Sequence, residues 1–278
     1  MTDPSEPLFL FGPGYSGQAL ARLYPGRVFG STRSNESRDK LSGTPIEAVD
    51  INHSDALKHS VRGAHVLISA PPGDTGCPAY RAIGAFADAA ASITYLSTTG
   101  VYGDLSGGWA MEWSAPKPQS DRARRRVVAE TLWRDVDTTV RIVRLPGIYG
   151  PGRSALERVR KGTARRIVRP GQVFSRIHVD DIAAGLMAML RSDQAGVFHL
   201  CDDQAAPPQD VIKYAAALIG AAAPPEIAFE HADLSAMARS FYAECKRVSN
   251  AKIKAATGWR PLYPSYREGL AAIRKSEG

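Results

Sequence analysis

LFLFGPGYSGQALA, residues 8–21, decides how the rest of the chain is read. Leu8 to Phe11 form an apolar run suited to a strand buried on both faces, and a helical pattern begins behind them at Tyr15. Between the two stand Gly12, Gly14 and Gly17 in the spacing GxGxxG. Gly12 permits a tight turn, Gly14 lets the backbone approach a pyrophosphate, and Gly17 allows the helix to lie close to the strand. The leading N–H groups of the helix, at Tyr15 and Ser16, then face the anion. A bare GxGxxG also occurs as a packing turn, but here it has the strand before it and the helix after it that a dinucleotide site requires.

The same alternation continues outward. RVFGSTR, IEAVD, AHVLISA, ITYLSTT and TVRIVRLPG read as β-strands, separated by helical segments such as PAYRAIGAFADAAAS. Such a chain builds βαβ units on a parallel sheet covered by helices on both faces, an α/β doubly wound Rossmann fold. The rhythm loosens after Gly150. GVFHLCDD still reads as a strand and PQDVIKYAAALIG as a helix ending on glycine, whereas AAAPPEIAFE and KRVSNAKIKAATGWRPLYPSY belong to a smaller lobe. The expected division is 1–150 with 173–205 for the nucleotide-binding domain, and 151–172 with 206–278 for a C-terminal substrate lobe.

About twenty residues beyond the glycines, an acid would bind the ribose hydroxyls of NAD and a basic group the 2′-phosphate of NADP. This chain has GSTRSNESR there. No carboxylate stands at the strand end; Thr32 and Ser34 offer hydroxyls, as does Ser31, and Arg33 offers a planar fork that pairs bidentately with phosphate. NADP is therefore expected over NAD, which stays as the alternative, and a solvated loop arginine is the plain reading of Arg33.

Composition sets outer limits. The 278 residues are 44% apolar, enough for one large core with a smaller appendage, and the net charge of +7 points to anionic partners without choosing between a nucleic acid and a small molecule. Three cysteines with no C-x-x-C spacing give neither a disulfide framework nor a metal site. MTDPSEP lacks the pattern of a signal peptide and no apolar run is long enough to span a bilayer, so a cytoplasmic protein is expected.

With these pieces in hand the chain resembles the short-chain dehydrogenase/reductase superfamily, more closely the extended NAD-dependent epimerase/dehydratase family in its atypical, YeeZ-like subgroup. The resemblance rests on FGPGYSG, Asp50 with Ile51, YLSTTGVYGD, VRLPGIYGPGR, SRIHVDDIA and GWRPLYPSYREGL, which together run almost end to end. The first motif departs from the GxxGxxG usual in the extended branch. The resemblance implies NAD(P) as ligand, Asp50 meeting the adenine amino group, Ala70 and Pro71 under the adenosine ribose, and Pro146, Gly147 and Ile148 beside the nicotinamide amide. It also implies Thr98 as the hydroxyl that holds the substrate oxygen. The other reading of Thr98 is a strand-end residue satisfying local backbone groups. Relatives commonly pair through two helices, so a homodimer is implied as well.

The departure that matters lies in QSDRARRRVVAE, residues 119–130, where Arg122, Arg124, Arg125 and Arg126 crowd five positions. Counted back from Ala129 and Glu130, the family's Tyr-x-x-x-Lys falls on Arg122 and Arg126. Arginine is protonated at all working pH values and makes no general base. Arg126, one turn on and on the same helix face, is the residue that keeps the lysine's role of binding ribose and adding positive potential. A plain solvated helix, or binding of a phosphorylated substrate or nucleic acid, remain the competing readings of the run. No nucleic-acid motif or aromatic interleaving accompanies it, so nucleic acid is the outside choice.

On the substrate side, Arg153, Arg158, Arg160, Arg165, Arg166 and Arg169 suit an anionic ligand or are surface charges. Thr99, Tyr102, Arg176 and His178 complete the expected substrate contacts. Tyr102 and Tyr149 are the tyrosines able to replace the missing donor, and His178 is either a structural histidine or an acid or base. Two functions stand: an NADP-dependent oxidoreductase or epimerase-like enzyme acting on a small carbonyl or sugar-like substrate, or a protein that binds NADP(H) without turnover.

Overall fold

The computed structural model describes residues 6–277. Its first half alternates β1 (Leu8–Phe11), α1 (Tyr15–Leu23), β2 (Val28–Thr32), α2 (Asn35–Asp39), β3 (Ile46–Asp50), α3 (Ser54–Val61), β4 (His65–Ile68), α4 (Pro78–Ile83) and β5 (Ser92–Thr98). After a short β6 (Trp109–Ala110) come α5 (Asp121–Arg134), β7 (Thr139–Leu145), β8 (Gly147–Tyr149), α6 (Ala155–Arg160), β9 (Arg166–Val168), β10 (Arg176–His178), α7 (Val179–Leu190) and β11 (Gly196–His199). The chain ends with α8 (Pro208–Leu218), β12 (Glu226–Ala228), α9 (Ala236–Tyr242), β13 (Arg247–Val248), α10 (Ala251–Thr257) and α11 (Tyr266–Ser276).

Seven parallel strands form one sheet in the order β11-β7-β5-β4-β1-β2-β3. The order reverses beside β1, so a crevice opens at the carboxyl ends of β1 and β4, where such sheets bind their ligands. Alternate residues serve opposite faces. Leu10, Leu67, Leu96, Val143 and Phe198 pack under α1, α7 and α10, whereas Phe9, Val66, Ile93, Tyr95 and Ile142 pack under α3, α4 and α5. The helical stretch read in PAYRAIGAFADAAAS is interrupted: α4 ends at Ile83, a 3-10 segment follows, and Phe86 leaves helical geometry with φ −142°. Gly84 favours the break because it gives up helix stability and a side chain there would crowd the Tyr80 ring.

A separate apolar cluster joins Leu156 of α6, Val211 and Ile212 of α8, and Tyr266 and Leu270 of α11 to Tyr149. Short parallel pairs, β8 with β10, β9 with β12 and β6 with β13, stand outside the main sheet. Ile253 and Trp259 pack back into the main core. The SRIHVDDIA and GWRPLYPSY motifs meet through one side chain. Asp181, fully buried at the start of α7, accepts the N–H groups of Leu262 at 2.5 Å and Tyr263 at 3.1 Å. Burial pushes its carboxyl up to about 6 against the pull of those two donors.

Inside the sheet, β7 and α5 are joined by charge. Arg144 makes a fork-to-fork pair with Glu130 at 3.0 and 2.6 Å, both side chains 2% exposed, and Ser97 donates to the same carboxylate at 2.5 Å. A paired ion in low dielectric tolerates loss of its partner poorly. Glu130→Leu is expected to lower the unfolding free energy by about 3–5 kcal/mol, read from the urea midpoint; a loss below ~1 kcal/mol would show that the pair is not dry.

Candidate functional site

The cradle begins at Gly12, whose φ of +80° is open to glycine at little cost. Its N–H donates to Ser31 Oγ at 2.8 Å, and its carbonyl accepts the Gly14 N–H at 2.7 Å and the Ser69 hydroxyl. The loop is thus tied to the ends of both flanking strands, β2 and β4. A Cβ at Gly12 would press on Ala70 at 3.1 Å, whereas one at Gly14 would meet only the Gly12 carbonyl at 3.9 Å. The Gly14 face is therefore open. Gly17 is less demanding than its motif position implies: a Cβ would find Leu10 at an ordinary 3.7 Å. Gly14 caps α1 without a side chain, leaving the amides of its first turn, those of Tyr15, Ser16 and Gly17, without partners in the helix.

Arg33, Asp50, Ile51, Ala70 and Pro71 stand at the carboxyl ends of β2, β3 and β4, side by side with this loop. Arg33 is exposed, and its side chain has no hydrogen-bond or ion-pair partner among the described residues. Asp50 uses Oδ1 to accept both N–H groups of Asn52, at 2.9 and 3.0 Å; the backbone donor is the main reason its carboxyl lies below the usual range. The hydroxyls expected near a cofactor are otherwise occupied. Thr32, 2% exposed, donates into the sheet to the Val49 carbonyl at 3.2 Å, and Ser34 caps α2 in a reciprocal pair with Ser37. The open amides and the open Gly14 face fit the phosphates of a dinucleotide.

Thr98 ends β5 half-buried, and its Oγ1 accepts the Gly100 N–H at 3.2 Å, the local backbone role. Thr99 beside it is buried. Arg126 turns onto the strand: its Nη1 donates to the Leu96 carbonyl at 2.6 Å and to the Tyr95 hydroxyl at 3.1 Å. Its Nη1 is thereby engaged on β5. The rest of the run disperses. Arg122 is exposed over the Phe241 ring at 5.1 Å, Arg124 pairs with Asp121 at 2.6 Å, and Arg125 pairs with Asp74.

Tyr102, expected at the substrate, lies instead in the core with no exposure. His199 Nδ1 donates to the Ser249 carbonyl at 2.9 Å, which leaves Nε2 to accept the Tyr102 hydroxyl at 2.5 Å, while the phenol oxygen accepts Arg144 at 2.8 Å. Burial pushes the Tyr102 hydroxyl up to about 12, with Arg144 opposing, and pulls His199 down to about 4. Tyr102 is not free to act as donor. His178 has the structural role: Nδ1 accepts the Asp180 N–H at 3.2 Å and caps α7, and the buried ring sits edge-on to Tyr149 and Tyr263. Burial lowers its pKa and keeps it neutral.

A cavity of about 480 Å³ opens between β8, α6 and α11. Its wall includes Gly147 and Ile148 of β8, the aromatic rings of Tyr149 and Tyr266, the cations Arg153, Arg158, Lys161 and Arg176, and Glu157. Pro146 precedes them, half-buried. Thr98, Thr99, Tyr102 and His178 do not line it. Packing sorts the arginine cluster that the sequence left whole. Arg160 pairs with Glu277, Arg166 with Glu226, and Arg165 and Arg169 hold the carbonyls of Asp233 and Tyr242. The side chains of Arg158 and Lys161 have no hydrogen-bond or ion-pair partner among the described residues. Arg176 is half-buried and donates to the carbonyls of Phe174 at 2.7 Å and Ala206 at 3.0 Å. Behind it Asp202 is 3% exposed, and burial drives its carboxyl up to about 8 although the Arg176 charge and the Arg176 and Gln204 backbone N–H groups pull the other way. Asp202 was not legible as a site residue, since nothing in HLCDDQ separates the buried acid from its exposed neighbour Asp203.

No family model matches the chain. It is similar to a functionally unknown conserved protein from Silicibacter pomeroyi DSS at 42% identity, covering 98% of this chain and 99% of the other with a TM-score of 0.91. The Thermus thermophilus UDP-glucose 4-epimerase in complex with NAD shares its fold at 19% identity, with 98% and 99% coverage and a TM-score of 0.73. A 3-diazoavenalumate denitrifying reductase from a Streptomyces species is 28% identical over 167 residues, 56% of this chain, and the chain spans only 54% of that relative's length. Among the described residues no helix is long and apolar enough to cross a membrane, and no group of His, Cys, Asp or Glu is arranged to hold a metal ion.

The Asp202 environment carries a sign that can be measured. Its folded pKa of about 8 exceeds the unfolded value near 3.8, so the folded protein holds a proton that the unfolded chain releases, and stability falls as pH rises between those two values. Asp202→Asn is expected to raise the melting temperature over wild type by an amount that grows from pH 4 to pH 8. A constant difference across that range would show that the acid ionises normally in place.

Proposed function

The chain belongs to one family with the conserved Silicibacter pomeroyi protein, on the Rossmann fold of the NAD-dependent epimerases and dehydratases of the short-chain dehydrogenase/reductase superfamily, and from that premise we propose that it is an NADP-dependent oxidoreductase or epimerase-like enzyme. The observation that carries the reading is the Gly12 turn, with the open amides of α1 behind it and the unpaired Arg33 at its side. The first turn of α1 takes the pyrophosphate, Arg33 the 2′-phosphate, Asp50 Oδ2 the adenine amino group, and Ala70 with Pro71 the ribose. When bound, the nicotinamide supplies hydride exchange at its C4. Gly147 and Ile148 then border both the nicotinamide end of the crevice and the cavity.

The substrate is a small molecule bearing a carboxylate or phosphate, seated in the cavity against Arg153, Arg158 and Lys161, with Tyr149, Tyr266, Ile148 and Leu270 around its apolar part. An anion there meets cations that have no ion-pair partner among the described residues, which favours binding. Two similar proteins bear on the chemistry: the Streptomyces relative is a reductase and the Thermus neighbour an epimerase. The second reading, an NADP(H)-binding protein without turnover, is favoured by one specific observation. Position 122 is arginine, and Tyr102 is locked between His199 and Arg144, so neither supplies the family's proton.

Titration of NADPH and NADH against tryptophan fluorescence tests the cofactor, and absence of saturable binding by both would remove it. Arg33→Asp is expected to weaken NADPH by ~10-fold or more, from loss of a charge-assisted pair, and NADH by less than ~3-fold; equal losses would make Arg33 a structural residue. Arg122→Tyr, assayed beside wild type for NADPH oxidation over a panel of carbonyl acids and phosphates, separates the two functions. Turnover by wild type supports the enzyme, whereas turnover gained only by the variant supports the binder.

A further inference from the structure

The turn after β8 has both ends of its central peptide clamped. Gly150 and Arg153 close it with paired backbone hydrogen bonds of 3.4 and 3.0 Å, Pro151 and Gly152 occupy its middle, and Gly152 has φ +74°. Proline second and a positive-φ glycine third is the pattern of a type II turn. Type I and type II turns differ by a flip of the peptide between those middle residues, so the partners of that peptide decide which way it faces and how residue 153 leaves the turn. Here the Pro151 carbonyl accepts the Tyr15 hydroxyl at 2.9 Å, and the Gly152 N–H donates to Glu157 Oε1 at 2.9 Å. The sequence separation of the first bond is 136 residues. Gly150 makes the approach feasible, since a Cβ there would collide with the Tyr15 oxygen and with Val179. The Arg153 guanidinium lies 6.0 Å from the Tyr15 ring centre, on the cavity wall. Tyr15 is also the first residue of α1, so one residue belongs to the phosphate cradle and touches the turn that carries Arg153.

We propose that Tyr15 is a positioning residue for the anion subsite: its hydroxyl holds the Pro151 peptide in the flip that aims Arg153 into the cavity, joining the nucleotide cradle to the substrate pocket. The proposal rests on the reading of the cavity as the substrate site. Burial raises the pKa of the phenol, with Asp180 adding to the effect, so the group remains a donor at neutral pH. Phenylalanine at this position keeps the ring, its contact with Arg153 and the backbone amide, and removes the donor alone.

The test is calorimetric titration of inorganic phosphate into protein saturated with NADP+, which fills the α1 cradle and leaves the cavity for the probe. Wild type, Tyr15→Phe and Arg153→Met are compared. Wild type is expected to bind phosphate saturably, Tyr15→Phe about fivefold more weakly, the worth of one net hydrogen bond, and Arg153→Met not measurably. The melting temperature of Tyr15→Phe stays at the wild-type value, which a merely structural role would not leave unmoved. Equal phosphate affinity in wild type and Tyr15→Phe overturns the proposal, as does a wild type that binds no phosphate, or a loss in Tyr15→Phe that comes with equal losses of NADP+ affinity and melting temperature. Failure of wild type to bind NADP+ sinks the cofactor reading instead, and the same three phosphate titrations on nucleotide-free protein then decide the role of Tyr15.

Discussion

The hydrogen bonds around Gly12 are the constraint on which the rest of the site depends. One residue in a left-handed conformation, held by Ser31 from β2 and Ser69 from the end of β4, sets where α1 starts and which way its first amides point. Two neighbouring strands therefore fix the loop from opposite sides, and the crevice between β1 and β4 inherits its shape from that anchoring. The same start of α1 carries Tyr15, which reaches the turn over the cavity. Geometry set at one glycine is passed on, through one helix terminus, to a loop far along the chain.

Helix α5 is tied to the sheet by electrostatics. Arg122 lies over a phenylalanine ring and Arg126 reaches the backbone of β5. The buried face of the helix carries Glu130, which meets Arg144, and through it the chain of polar contacts continues to Tyr102, His199 and the Ser249 carbonyl. Every member of that chain has a donor or acceptor assigned to it. A network satisfied in this way specifies one arrangement of α5 against β5 and β7, and leaves no hydroxyl over for a reacting group.

Charge in the second half of the chain is divided between structure and binding. Most arginines after Gly150 hold carbonyls or single carboxylates and so lace the segments from 224 to 244 onto the region around β9. Arg153, Arg158 and Lys161 share one wall of the cavity, with Arg176 and the buried Asp202 behind it.

Local pattern determined the parallel sheet and the glycine cradle. Apolar runs of strand length, glycines at GxGxxG and an arginine where an acid would select NAD are all read from neighbours in sequence, because strand burial, tight turns and helix starts are short-range physics. What the sequence alone could not decide was where side chains of identical type end up. Thr32 and Arg33 are adjacent, yet one donates into the sheet and the other is exposed, since β2 ends at Thr32 and Arg33 begins the turn that leads to α2. Tyr102 follows a motif that borders the site in relatives, but its hydroxyl is claimed by His199, 97 residues away. Asp202, the Tyr15 to Pro151 contact and the sorting of the arginines likewise depend on partners brought together by packing, and only the tertiary structure supplies those partners.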